Sequence, residues 1–115
     1  MNKEYDEKGN LIKEYDSNHN LIFIKKSDGV KWWNKYNENN QIIYGKSDRK
    51  SEFWYYYDEN NREIQFKNTL GTRYYYKYDE NNKKINISQQ EFKQIERIKL
   101  YLNIKNSNRF ELIDI

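Results

Sequence analysis

A tyrosine returns every 21 residues, at Tyr15, Tyr36, Tyr57 and Tyr78, and each opens the same phrase. The third copy reads Tyr57-Asp58-Glu59-Asn60-Asn61-Arg62-Glu63-Ile64 and the fourth Tyr78-Asp79-Glu80-Asn81-Asn82-Lys83-Lys84-Ile85. A truncated copy, Tyr5-Asp6-Glu7-Lys8-Gly9-Asn10-Leu11-Ile12, precedes them. Self-similarity at a fixed period means one supersecondary unit copied along the chain. Few folds accommodate that.

Each unit reads as a β-hairpin. Residues 53–57 (Phe-Trp-Tyr-Tyr-Tyr) and 74–78 (Tyr-Tyr-Tyr-Lys-Tyr) are aromatic runs that favour strands. The polar tetrads between runs suit a type I turn with a G1 bulge: Asp caps the first position, and Gly or Asn accepts the left-handed fourth. A second turn per unit is marked by Ser27-Asp28-Gly29, Ser47-Asp48-Arg49-Lys50 and Asn68-Thr69-Leu70-Gly71. These signals predict an up-and-down meander of about eight strands over residues 5–87.

The pattern then changes. Ser88-Gln89-Gln90-Glu91 is a capping box, and Phe92, Ile95, Ile98 and Leu102 recur at helical spacing. A helix is predicted over 89–103, covering one face of the meander, then a turn at 106–108 and a short final strand over 109–115. The expected whole is a single α+β domain, 1–115, with a helix–strand cap at 88–115.

Composition narrows the chemistry. Pro, Cys and Ala are absent while Lys, Asn, Ile and Tyr abound, a bias that AT-rich codons also produce. Without cysteine there is no disulfide framework or thiolate metal site, which fits a reducing compartment. No signal-peptide core and no apolar run long enough to span a bilayer is visible, so a cytoplasmic protein of a bacterial host is expected. A net charge of +3 is compatible with nucleic acid and argues against a DNA mimic.

The stretch Gly71-Thr72-Arg73-Tyr74-Tyr75-Tyr76-Lys77-Tyr78-Asp79-Glu80-Asn81-Asn82-Lys83 resembles the YD repeat of Rhs-type and teneurin-type proteins. The likeness extends over residues 5–87, although the corner glycine survives only as Gly9. Long arrays of that family wind into shells around toxin cargo, whereas four units cannot enclose anything. Short arrays of the kind occur in small phage and mobile-element proteins. The resemblance therefore implies a defence-system inhibitor or toxin antidote.

Register decides which aromatics are buried, because a one-residue slip exchanges the faces. With the bulged turn, Tyr57 opposes Glu63, Tyr55 opposes Gln65 and Phe53 opposes Lys67. One face then holds Ile12, Ile22, Ile24, Trp33, Ile43, Trp54, Tyr56, Ile64, Phe66, Tyr75, Ile85 and Ile87 as core. The other holds Tyr15, Trp32, Tyr36, Phe53, Tyr55, Tyr57, Tyr74, Tyr76 and Tyr78, edged by Lys25, Lys46, Lys67 and Lys84. A plain four-residue loop reverses the outcome: it buries Phe53, Tyr55 and Tyr57 with Ile64 and Phe66 and leaves Trp33, Trp54, Tyr56 and Tyr75 outside. Turn chemistry favours the bulge, and the count of apolar residues slightly favours the loop.

On the bulged register the expected partner-binding residues are Trp32, Tyr36, Phe53, Tyr55, Tyr57, Tyr74, Tyr76, Tyr78, Lys46 and Lys67. The competing reading is that these aromatics are cross-strand packing ladders or are buried in a homodimer. No catalytic, metal or cofactor site is expected: His19, the sole histidine, stands where sister repeats have Asn or Gly, and the paired carboxylates 58/59 and 79/80 are turn residues. The expectation is a non-enzymatic inhibitor, an anti-CRISPR or toxin-immunity protein, that occludes a protein or ribonucleoprotein target such as a CRISPR effector or a toxin. A module binding single-stranded nucleic acid through aromatics and lysines is the alternative. Carbohydrate binding, a third, follows from the YD resemblance.

Overall fold

In a computed structural model the residues described are 2–113, with side chains described through residue 103. Among them are nine strands and one helix, an α+β fold whose antiparallel strands follow chain order as a meander. The strands are β1 (Lys3–Tyr5), β2 (Leu11–Tyr15), β3 (Leu21–Lys25), β4 (Lys31–Tyr36), β5 (Ile42–Ser47), β6 (Glu52–Tyr57), β7 (Glu63–Asn68), β8 (Arg73–Tyr78) and β9 (Lys84–Ile87). The truncated first copy thus contributes a short strand of its own, one more than the eight expected. The helix α1 (Gln89–Ile113) begins at the Ser88 cap, whose Oγ accepts from the Glu91 amide at 3.1 Å. It runs on through 106–108 to Ile113, so no strand forms over 109–113; residues 114–115 lie outside the described part. The predicted turn rested on Asn-Ser-Asn, whose helix propensity is only moderately poor.

One turn geometry serves every hairpin. In each, the amide of the fourth residue donates to the carbonyl of the first, as Asn61 does to Asp58 at 3.0 Å and Gly29 to Lys26 at 2.9 Å. The fourth residue always has positive φ: Gly9, His19, Gly29, Asn40, Lys50, Asn61, Gly71 and Asn82. Asp or Asn at the first position locks the turn from its side chain. Asp58 Oδ1 accepts from the amides of Asn60 and Arg62, both at 2.9 Å, and Asp6, Asp16 and Asn37 repeat the pattern. His19 at φ 65° is one of these positive-φ residues.

The bulged turn forms, with Tyr57 opposite Glu63, yet the register beyond it is not the one the turn implies. A second bulge follows at once. Tyr56 pairs with Gln65, Tyr55 with Phe66, Trp54 with Lys67 and Phe53 with Asn68, leaving Ile64 as the extra residue. Ile12, Ile22 and Ile43 are skipped in the same way in the earlier hairpins. Each such bulge exchanges the faces of the strand beyond it. The expected pairings of Tyr55 with Gln65 and Phe53 with Lys67 are therefore corrected. The β8–β9 hairpin has no second bulge: Tyr78 pairs with Lys84, Lys77 with Ile85 and Tyr75 with Ile87.

The chain divides into two compact units, Met1–Arg73 and Tyr74–Ile115. The first is a single antiparallel layer whose aromatics are mostly half-buried; its most enclosed side chains include Phe23, Val30 and Ser47. In the second, Phe92 of α1 packs on Tyr75 with ring centroids 5.0 Å apart, and Lys77 meets Glu91 at 2.7 Å. Of the stripe expected to cover the meander, Phe92 and Ile95 are half-buried, while Ile98 and Leu102 stay exposed.

Candidate binding surface

Side chains of residues directly opposite one another in a ladder share a face. Through β4–β7 this places Trp32, Asn34, Tyr36, Gly45, Ser47, Phe53, Tyr55, Tyr57, Phe66 and Asn68 on one side, the tyrosine face. The opposite side carries Lys31, Trp33, Lys35, Tyr44, Lys46, Glu52, Trp54, Tyr56, Gln65 and Lys67, the lysine face.

The tyrosine face is knitted together. Trp32 and Phe53 rings lie 5.7 Å apart, Phe53 and Tyr55 5.7 Å, Tyr55 and Phe66 4.8 Å. The Phe53 ring lies over Gly45, where sister repeats carry Ile24 and Phe66 and a Cβ would strike the ring. The repeated tyrosine links neighbouring hairpins. Tyr36 donates its hydroxyl to the Leu21 carbonyl at 2.8 Å, and Tyr57 to the Ile42 carbonyl at 2.6 Å. Each reaches back 15 residues and ties its hairpin to the previous one. Burial pushes both hydroxyls above the ordinary tyrosine value, with the charge of Glu63 adding to it at Tyr57. At the turn tips an amide ladder links the hairpins as well, Asn20 Nδ2 to Asn40 Oδ1 at 2.9 Å and Asn39 Nδ2 to Asn61 Oδ1 at 2.8 Å. Part of the asparagine content is therefore structural.

The lysine face is the more open one. Trp33 is 44% exposed and Tyr56 39%, which corrects the expectation that both belong to the core. Across four strands runs the row Lys35–Tyr44–Trp54–Lys67. Its central rings lie 5.7 Å apart, and a lysine overlies them from each end: Lys35 Nζ stands 5.7 Å from the Tyr44 ring centre, Lys67 Nζ 5.1 Å from Trp54 and 5.6 Å from Tyr56. In such contacts the ring quadrupole attracts the ammonium group, by about 0.5–1 kcal/mol at exposed sites. Tyr44 donates its hydroxyl to Glu52, which raises its pKa. An open cleft of about 750 Å³ is lined by Lys35, Tyr44, Trp54 and Tyr56, with the turn residues Asn37 and Asn61 and the acidic Glu38 and Asp58 also in its lining.

Following the register out to β1 sorts the charges as well. The lysine face of the first unit carries six lysines (3, 25, 31, 35, 46 and 67) against two glutamates, Glu14 and Glu52. The tyrosine face carries Lys13, and Lys26 with its Nζ 5.7 Å from the Trp32 ring centre, against Glu4 and Glu63. The positive charge is concentrated on one side.

The predicted site residues are thus divided. Trp32, Tyr36, Phe53, Tyr55 and Tyr57 come together but pack on one another, half-buried. Lys46 and Lys67, expected beside them, project from the opposite face, and so does Lys25, because the second bulges shift the register by one. In the second unit Tyr74 is 50% exposed and its ring lies 6.4 Å from that of Tyr76, over which Lys84 stands at 4.0 Å. Tyr78 shares their strand face, while Tyr75 is buried. The bulged register favoured from the sequence puts Trp33, Trp54 and Tyr56 in the core, whereas the four-residue-loop alternative leaves them outside; Lys35 and Tyr44 are assigned to neither face. A signal was present: the adjacent apolar pairs Leu11-Ile12, Leu21-Ile22 and Ile42-Ile43 break alternation directly after the turn, where the bulges fall.

Neither a protein-family model nor a curated protein sequence matches this chain.

Proposed function

We propose that the protein is a binding module without catalytic chemistry that occupies an acidic macromolecular partner through its lysine face, and so blocks it as an inhibitor would. The segregation of six lysines onto the more open, aromatic face carries this reading. A binding role also agrees with the use made of the polar side chains. His19 occupies a positive-φ turn site, and the carboxylates of Asp58 and Asp79 are engaged by turn amides. Among the described residues no group of three His, Cys, Asp or Glu could hold a metal ion.

The test is titration against three polyanions, namely heparin, poly-glutamate and a single-stranded oligonucleotide, at low and moderate salt. At least one should bind, with affinity falling as salt rises, and Lys35→Glu/Lys46→Glu/Lys67→Glu should abolish that binding. Lys13→Glu, on the tyrosine face, should leave it largely intact. Equal losses in both variants, or no binding to any probe, would overturn the proposal.

A further inference from the structure

We infer that the acidic partner of the lysine face is single-stranded nucleic acid, with bases on Trp33, Trp54 and Tyr56 and phosphates on Lys35, Lys46 and Lys67. This rests on the binding reading above and gives its partner a chemical class.

Three observations point the same way. The first is the pairing of ring and ammonium. Lys35 and Lys67 are held over Tyr44, Trp54 and Tyr56 at 5.1–5.7 Å, so a ligand here meets flat ring surface and positive charge together. A single strand offers the complement in every nucleotide, a flat base beside an anionic phosphate. A duplex hides its base faces in the stack and gains only the phosphate contacts.

The second is the kind of cation. All six basic residues that the register places on this face are lysines. Protein–protein interfaces are enriched in arginine and depleted in lysine, so the face is poorly composed for a protein partner. Lysine is a compact point charge without arginine's planar bidentate fork, which fits phosphate contact with little base selection. The binding should therefore tolerate sequence.

The third is the layout. Two rows bring rings and charges side by side: Phe23–Trp33–Lys46–Glu52, a ring pair followed by a lysine and a glutamate, and Lys35–Tyr44–Trp54–Lys67, a ring pair with a lysine at each end. Each row crosses four strands, roughly 14 Å at the usual inter-strand spacing. Exposed rings, Trp33 at 44% and Tyr56 at 39%, stand in and beside these rows.

The experiment is fluorescence anisotropy with labelled dT and rU oligonucleotides of about 12 nucleotides, within the site sizes usual for single-strand binders. Trp33→Ala and Tyr56→Ala remove exposed rings and should leave the fold intact by circular dichroism. Each should weaken binding about five- to hundredfold, the range of one lost base stack. The log–log salt slope should be about −2 for three phosphate contacts, and Lys67→Gln should flatten it by about 0.7. A duplex of the same length should bind more weakly. If heparin or poly-glutamate binds while neither oligonucleotide does, the inference fails and the binding reading stands. If no polyanion binds, both fail. Oligonucleotide binding that Trp33→Ala and Tyr56→Ala leave unchanged, or that a duplex matches, also overturns the inference.

Discussion

Lys50 has φ 68°, in a position its counterparts fill with Gly9, His19, Gly29, Asn40, Asn61, Gly71 and Asn82. A side chain with a Cβ pays roughly 1–2 kcal/mol to enter that region, and asparagine recovers part of it by local hydrogen bonding. Lys50→Gly should therefore raise stability by about 1 kcal/mol after allowing for the extra freedom of glycine in the unfolded chain. A thermal melt of the two proteins checks it, and a lower midpoint in the variant would contradict the strain. The other residues of this kind are legible in the sequence. Turn chemistry is local, so Asp58, Asn61 and Gly71 declare their positions without help from the rest of the fold.

At the scale of the strand, local signals fall short. The turn at Asp58–Asn61 fixes Tyr57 opposite Glu63, but the bulge at Ile64 then reassigns every residue behind it. Contacts from outside the hairpin bear on that arrangement, among them the Tyr57 hydroxyl on the Ile42 carbonyl and the Phe53 ring over Gly45. Periodicity within one strand carries no information about either. Gly45 belongs to this scale because its lack of a side chain lets β5 and β6 pair with Phe53 laid across. Gly45→Ala should cost about 1–3 kcal/mol, the usual penalty for overpacking. It should also shift the Phe53 and Trp32 ring resonances in an NMR spectrum; an unperturbed spectrum at unchanged stability would show that the ring is not held there.

For the molecule as a whole, the same tyrosines and aspartates set the pH range of the fold. Backbone amides of Asn10 and Asn20 lead in holding the Asp6 and Asp16 carboxylates below 3.8. At Asp58 burial opposes, but the Arg62 and Asn60 hydrogen bonds prevail and that carboxylate is lowered too. The unfolded chain then takes up protons first, so the stability these groups supply is complete above about pH 4 and is lost as pH falls through their folded values. Tyr36 and Tyr57 act in the opposite sense. Their folded values lie above 10.0, so their contribution is whole below about pH 10 and disappears as pH rises past it. Melting temperatures should form a plateau between roughly pH 5 and 9 and drop at both ends. An acid limb unchanged in Asp58→Asn, or a flat alkaline limb, would argue against this assignment.

The sequence by itself determined the hairpin period, the position and type of each turn, the start of the helix and the α+β class. All of these rest on contacts within a few residues, which the local order of side chains encodes. The tertiary structure decided which face of the sheet is open. It moved Lys46 and Lys67 away from Phe53 and Tyr55 and exposed Trp33 and Tyr56. The reason is geometric: side chains alternate with a period of two, so one unpaired isoleucine per hairpin inverts the sheet, and bonds between neighbouring hairpins accompany that inversion.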